Sequence, residues 1–398
     1  MDLNYGSIVP LIGGETIAME RIFEKKPEYI LSYEPFKAND NHIVEHYKTV
    51  PYYLVDDNRK PNIPDVDVIN TVCPCAGLSS LSTTSNSDAA ANDWMRTTAN
   101  FVLGTLSPKV FWGENAPRLA SKMGRPVVED LRKIGQNFGY SFSLYKTKSI
   151  LHGLSQTRDR TFYFFWKGQQ VPQFDYIKRK HEKIEDTIRS TKRDLKDPMS
   201  ILTNDRVPSE NAYYKYCLEE IEGGINHATF AEKITKSTNV LDHIEAHTTY
   251  DKVSHWMSSK GFSKEATRCE TMYLKLKAGG NIMRKNVEIP KDYIGAFVGH
   301  YPTSLTHPDE DRFLTIRECM SIMKLPSDFI LQGGKKNLNH ICQNVPVTTA
   351  MDMAEHVHKF VDGRLSNQMI DADFVIQDNK SQKLEYQKNG LQLDEFMI

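Results

Sequence analysis

Over residues 1 to 166 short apolar runs alternate with helical patterns, and this alternation constrains the chain more than any other feature. Ile8-Val9 leads into Gly13-Gly14, and Thr16 to Phe23 follows with apolar positions at Ile17, Ala18 and Ile22. Tyr29 to Tyr33, Val66 to Val72 and Lys109 to Trp112 are further strand candidates. Val127 to Phe138 has a helical pattern, and Thr161 to Trp166 is a late aromatic strand. Such spacing specifies an α/β fold with a mostly parallel sheet. Ligands on these sheets sit at the carboxyl ends of the strands, so chemistry is expected just beyond them.

The character changes near residue 170. Asp175 to Asp197 holds eight Lys/Arg and six acidic residues, a near balance that reads as a solvated helix face. Residues 198 to 311 lack clear periodicity and carry turn signals at Gly223-Gly224 and Gly279-Gly280, which suggests a second, smaller and irregular domain. Helical patterns return at Thr315 to Met323 and Val347 to Val361. Beyond Gly363 the chain is polar and reads as an appendage. The expected division is therefore a main domain over 1–169, a second domain over 170–334, a returning segment over 335–362 and a tail over 363–398.

Bulk composition narrows this little. The 50 Lys+Arg against 51 Asp+Glu neither suggest nor exclude nucleic acid, because phosphate binding needs only a local basic face. No run approaches the roughly 18 apolar residues of a membrane span, so no membrane partner is expected. Met1-Asp2-Leu3-Asn4-Tyr5 lacks the pattern of a secretory signal. Six cysteines without framework spacing fit reduced thiols in a cytoplasm.

The sharpest local feature is Cys73-Pro74-Cys75-Ala76-Gly77-Leu78-Ser79-Ser80, directly after a strand candidate. A cysteine at a strand's carboxyl end, opening a Gly/Ser-rich loop, is placed for nucleophilic attack. The metal reading needs more ligands than this pair supplies, so no metal is expected, and Cys73 reads as a plain buried thiol. Gly113-Glu114-Asn115 follows the next strand, where a carboxyl raised by burial can donate a proton. In Gln156-Thr157-Arg158-Asp159-Arg160 the two arginines at i and i+2 share a side of an extended segment and can fork onto a base edge or a phosphate.

Taken in order, Pro74-Cys75, Glu114-Asn115 and Gln156-x-Arg158-x-Arg160 resemble the motifs of cytosine-5 DNA methyltransferases. The similarity continues through Leu314-Thr315-Ile316-Arg317-Glu318, Met323-Lys324-Leu325-Pro326 and Asn344-Val345-Pro346. It implies a Rossmann-like S-adenosylmethionine-dependent sheet with a smaller target-recognition domain between the paired arginines and the Thr-x-Arg-Glu motif. It also implies Cys75 as nucleophile at C6 of a flipped cytosine, Glu114 as partner of its amino group and N3, and Arg158 and Arg160 around the ring. S-adenosylhomocysteine is the expected product. Ser79, Ser82, Thr303 and Arg317 are the residues expected against double-stranded DNA, with Tyr301 and Ser304 beside Thr303 as further candidates.

The cofactor motif departs from the related pattern. Only Gly13-Gly14 of the glycine turn is kept, and Ser7, Val9 and Leu11 stand at the acidic, aromatic and first-glycine positions. Glu34, twenty residues after Gly14, is the expected ribose contact, and Asp56 (or Asp57) the adenine contact. Pro74 and Asn344 complete the expected set, with Asn344 standing in for the asparagine of the closing motif, where Cys342-Gln343 depart from it. Ala76 replaces the usual glutamine after the nucleophile. A monomer is expected, with a cognate restriction endonuclease as a possible partner. A tRNA cytosine-5 methyltransferase and a silent DNA-binding relative are the alternatives.

Overall fold

The computed structural model describes residues 3–56, 59–74, 77–78, 86–282, 284–299 and 301–387. They form two compact units, one comprising Met1–His181, Met323–Gln332 and Gln343–Ile398, the other Glu182–Ile322 and Gly333–Cys342. Among the described residues no helix is long and apolar enough to cross a membrane.

The first unit is built on a nine-stranded sheet. Its strands are β1 (Tyr5–Ile8), β2 (Ile30–Ser32), β3 (Tyr52–Leu54), β4 (Val68–Thr71), β5 (Val110–Asn115), β6 (Tyr140–Lys148) and β7 (Asp159–Lys167), followed by two late strands, Phe374–Asp378 and Lys383–Gln387. Counted from the β3 edge the order is β3-β2-β1-β4-β5-β7-β6, then Phe374–Asp378 and Lys383–Gln387. β1 to β5 run parallel, β7 lies antiparallel between β5 and β6, and Phe374–Asp378 is parallel to β6. The chain moves outward from β1 to β3 and then returns to place β4 on the other side of β1. That reversal opens a crevice at the carboxyl ends of β1 and β4.

Helices α1 (Gly14–Phe23), α2 (Lys37–His46), α3 (Asp93–Phe101) and α4 (Arg125–Asn137) belong to this unit, as does the helix Val347–Val361, which packs on α1. Central strands are buried on both faces, which is why Thr161 to Trp166 is continuously apolar and not alternating. Opposed residues share a face. Phe111 stacks on Phe165 at 5.6 Å on one side, and Trp112 on Phe164 at 5.9 Å on the other.

The expectation of a polar appendage beyond Gly363 is corrected for residues 369–387. Phe374, Val375 and Ile376 are buried beside β6, and Met369–Ile370 pairs with Val171–Pro172. The polar residues that disguise this segment act as clamps. Gln377 accepts from the Phe174 amide at 2.9 Å and Asn379 from the Ile177 amide at 2.7 Å. These bonds hold residues 170–181 in the sheet unit, which shifts the expected boundary at 170. The boundary at 335 also shifts: the Val347 amide donates to the Met323 carbonyl at 3.0 Å, and the Gln332 amide to His42 Nδ1 at 3.0 Å.

The second unit is helical, which corrects the expectation of an irregular domain. It contains α5 (Ile184–Ser190), α6 (Ala212–Tyr216), α7 (His227–Lys233), α8 (Val240–His247), α9 (Tyr250–Ser259), α10 (Ser263–Lys277) and α11 (Ile316–Ile322). Tyr214, Phe230, Val240, Ile244, Val253, Met257 and Cys269 form part of its core. Most of these helices are too short for a 3.6-residue period to emerge, and their signature is the cap. Asn211, Asn226 and Asn239 each accept amide hydrogens of the first turn. The charge-dense stretch forms only the seven residues of α5, because Asp194 and Asp197 accept the amides of Lys196 and Met199 and turn the chain away from the helix.

Candidate active site

Five parallel strands deliver their carboxyl ends to one edge of the sheet, and the expected site residues of the first unit follow those ends. After β1 the backbone enters the left-handed region at Val9 (φ 49°), Leu11 (φ 54°) and Gly13 (φ 83°) before α1 begins. Both glycines are sterically required. A Cβ on Gly13 would stand 2.2 Å from Ile43 Cδ1, and one on Gly14 would stand 2.8 Å from the Val345 carbonyl oxygen. Asn344 fastens the turn: its Oδ1 accepts from the Ile12 amide at 2.9 Å and its Nδ2 donates to Glu15 Oε2 at 3.0 Å. Asp40 accepts from the Leu11 amide at 3.3 Å, and burial pushes its carboxyl up to about 7.

Ser7, at the position where an acid is usual, closes a small network. Its hydroxyl donates to Asn70 Oδ1 at 2.7 Å and meets Thr16 Oγ1 at 2.8 Å, and Asn70 Nδ2 donates to the same Thr16 oxygen at 3.1 Å. β1, β4 and α1 are thereby joined by neutral groups. Glu34 follows β2, is exposed and pairs with Lys37. Asp56 follows β3 and is also exposed. Glu34 and Asp56 lie beyond the same edge as the glycine turn but do not converge on it among the described contacts.

The second cluster forms beyond β4, β5 and the start of β7. Glu114 is 1% exposed, and its Oε2 lies 2.9 Å from Arg160 Nε in an ion pair whose arginine is also largely buried. The register explains the meeting. Glu114 stands opposite Phe162, and Arg160, two residues earlier on β7, projects from the same face. Arg158 is 1% exposed and lies near enough for its charge to act on Glu15. Pro74 is half-buried at the end of β4. Cys75, Ser79, Ser82 and Asp57 lie outside the described residues. Cys73 is buried, with its thiol pushed up by burial and its Sγ 3.5 Å from Thr71 Oγ1, as suits a structural cysteine.

Three features escaped sequence reasoning. Glu15, fully buried in the first turn of α1, carries a carboxyl raised by burial and then by the charge of Glu114. It had no signal beyond its adjacency to the glycine pair. Asp40 sits on α2, a helix with no counterpart in the sequence reading. A third feature is a network around the buried His152 and Asp352: His152 Nε2 meets Thr147 Oγ1 at 2.7 Å, His152 Nδ1 meets Asp352 at 2.7 Å, and the exposed Arg179 forks onto Asp352 at 2.7 and 2.9 Å. It ties the loop ahead of β7 to the Val347–Val361 helix.

In the second unit Arg317, expected against DNA, is largely buried in an ion pair. Its guanidinium is 8% exposed and forks onto Asp197 at 2.7 and 2.9 Å. The surrounding motif is a helix start. Thr315 Oγ1 accepts from the Glu318 amide at 3.1 Å and Glu318 accepts from the Thr315 amide at 2.7 Å, a capping box. Glu318 is also held by Arg312 through bonds of 2.9 and 2.8 Å. Thr303 is half-buried and borders a cleft of about 600 Å³ lined also by Asn204, Arg206, Arg268 and Lys285.

Comparison with known proteins adds to this geometry. The family model described as C-5 cytosine-specific DNA methylase matches residues 12–359. Among curated proteins, the type II methyltransferase M.MthTI of Methanothermobacter thermautotrophicus is 24% identical over 262 residues, spanning 65% of this chain and 68% of that protein. Among solved structures, a protein described as a DNA modification methyltransferase encoded within a prophage (E. coli) superposes with a TM-score of 0.56 at 13% identity, covering 92% of this chain and 99% of its own. The Entamoeba histolytica methyltransferase EhMeth gives 0.53 at 13% identity, covering 90% and 98%. The two structural likenesses concern the fold.

Proposed function

Since the chain belongs to the C-5 cytosine-specific DNA methylase family and is a DNA cytosine-5 methyltransferase, we propose that it acts through a covalent adduct between Cys75 and C6 of a flipped-out cytosine in duplex DNA. Cytosine C5 is a weak nucleophile within an aromatic ring. When the Cys75 thiolate forms the S–C6 bond, the ring electrons move toward N3 and C5 becomes enamine-like. Glu114 holds a proton at N3 and accepts from the exocyclic amino group. Arg160 donates to the base O2, exchanging part of its pairing with Glu114 for the ring, and Arg158 supports the pocket. After methylation the C5 proton leaves to water, the S–C6 bond breaks and the N3 proton returns to Glu114, which restores the thiolate and the aromatic ring. The reacting atoms are inaccessible in a stacked duplex, so the base must leave the helix.

The turn through Gly13-Gly14, fastened by Asn344, lies beyond β1 at the point where the strand order reverses, the place nucleotide cofactors take on such sheets. S-adenosylmethionine, the methyl donor of this reading, supplies an electrophilic methyl group and departs as S-adenosylhomocysteine. Glu34 and Asp56 would take its ribose hydroxyls and adenine amino group, with Pro74 alongside. The second unit, with the cleft beside Thr303, would read the DNA, and Ser79 and Ser82 would meet it from the loop after Cys75. A monomer working beside a restriction endonuclease fits the naming of the M.MthTI relative as a type II methyltransferase.

The observation that carries the reading is the buried Glu114–Arg160 pair at the carboxyl end of β5, one strand from the end of β4 that leads to Cys75. The test offers tritiated S-adenosylmethionine with duplex DNA and, separately, with tRNA. Label in DNA that disappears in Cys75→Ser supports the reading. Label confined to tRNA, or undiminished in Cys75→Ser, contradicts it.

A further inference from the structure

Glu15 is a buried carboxyl that the reaction above leaves unused. It has no exposed surface. Asn344 donates to its Oε2 and its own backbone amide also acts on the carboxyl, while its Oε1 meets no hydrogen-bond partner of ordinary geometry among the described residues. The charged and titratable groups facing it come from other elements: Glu114 on β5, Arg158 ahead of β7 and Tyr163 on β7. Ser7, at the end of β1, offers no anion, since its hydroxyl is engaged by Asn70 and Thr16. Glu15 therefore stands with the glycine turn on one side and the Glu114–Arg158 cluster on the other. A buried carboxyl oxygen without a donor is unfavourable unless a ligand reaches it.

We propose that Glu15 is a specificity-determining residue of the methyl-donor site, its open oxygen facing the positively charged sulfur of S-adenosylmethionine and selecting it over the neutral sulfur of the product. This rests on the donor assignment made above. A donor held between the glycine turn and the Glu114 pocket would carry its cationic sulfur on the Glu114 side of Glu15. Without ligand, burial and the Glu114 charge keep the Glu15 carboxyl protonated well above the usual range. A cation at Oε1 favours the carboxylate, so donor binding releases a proton and tightens as pH rises. The product, with no charge on sulfur, gains nothing from this. Once the methyl group has left, the attraction is lost, which assists exchange of product for fresh donor.

The experiment is calorimetric titration of the full-length protein with S-adenosylmethionine and S-adenosylhomocysteine at pH 6 and pH 8.5, for the wild type and Glu15→Gln. The α-amino group of each ligand also titrates, so the readout is the difference between the two proteins. The wild type should prefer S-adenosylmethionine by a margin that grows roughly tenfold over this range. Glu15→Gln should lose that growth and about tenfold of the preference at pH 8.5, with affinity for S-adenosylhomocysteine nearly unchanged. A wild-type preference that does not change with pH overturns the proposal. So does a Glu15→Gln protein that keeps the wild-type preference, or one that loses both ligands equally. Proton release by the wild type, measured in two buffers of different ionisation enthalpy, needs no variant: more protons should leave with S-adenosylmethionine than with S-adenosylhomocysteine, and equal numbers contradict the claim. If the wild type binds neither compound, the donor assignment itself fails.

Discussion

At the scale of single residues, charge placement decides what this site can do. Glu114 and Arg160 are buried together, and neither is stable there without the other or a substrate to replace it. Glu114→Gln should reduce turnover at least about 100-fold while leaving donor binding within a few-fold, because the lost group acts on the base. Single-turnover methylation together with donor titration checks this, and equal losses in both would assign Glu114 a structural role. Asp40 gives a prediction about pH. Its carboxyl is raised to about 7 by burial, so the folded protein holds a proton that the unfolded chain has already released. Stability from this group is present at low pH and falls as pH rises from about 4 to about 7. Asp40→Asn, whose side-chain oxygen can still accept from the Leu11 amide, should remove that slope. Urea unfolding at pH 5 and pH 8 should show the variant gaining relative to wild type at the higher pH.

At the scale of elements, the ends matter as much as the lengths. α1 terminates on Glu24, an exposed residue in the left-handed region at φ 55°. Glu24→Gly should stabilise the protein by about 1 kcal/mol, seen as a raised urea midpoint with an unchanged slope. The Thr315–Glu318 capping box was legible in the sequence by position, but its structural bonding was not. Its spacing marks it in the sequence, but only the bonds from Arg312 to Glu318 and from Arg317 to Asp197 show that the charges face inward. Thr315→Ala should destabilise the second unit by about 1 kcal/mol. Strands with continuous apolar character, such as Thr161 to Trp166, were readable directly. β6 was passed over although Tyr140-Ser141-Phe142-Ser143 alternates as a strand does; its serines are buried and bond with Gly168 and Trp166.

At the scale of the whole molecule, a mostly parallel α/β sheet was inferred from alternation, but its strand order was not, and its far edge was hidden. Residues beyond Gly363 are polar in sequence, yet Phe374, Val375 and Ile376 complete the sheet beside β6 while Gln377 and Asn379 clamp residues 174–177. A strand buried between two neighbours leaves no alternating exposed face to read, and hydrogen-bonding amides look like solvent-facing ones until their partners are known. A chain ended after Asp362 should expose β6 and unfold without a cooperative transition, monitored by circular dichroism against temperature. Helices α6, α7 and α8 of the second unit were missed for a different reason, their shortness, while their asparagine caps were present in the sequence throughout.

The central claim is that one thiolate attacks the base while Glu114 and Arg160 make the ring accept it. Incubation with a duplex containing 5-fluorocytosine and S-adenosylmethionine, followed by proteolysis and mass spectrometry, tests it most directly, because fluorine at C5 blocks release of the adduct. A stable conjugate on the peptide carrying Cys75, absent in Cys75→Ser, is the expected result. A conjugate on another residue, or one that persists in Cys75→Ser, would contradict the account.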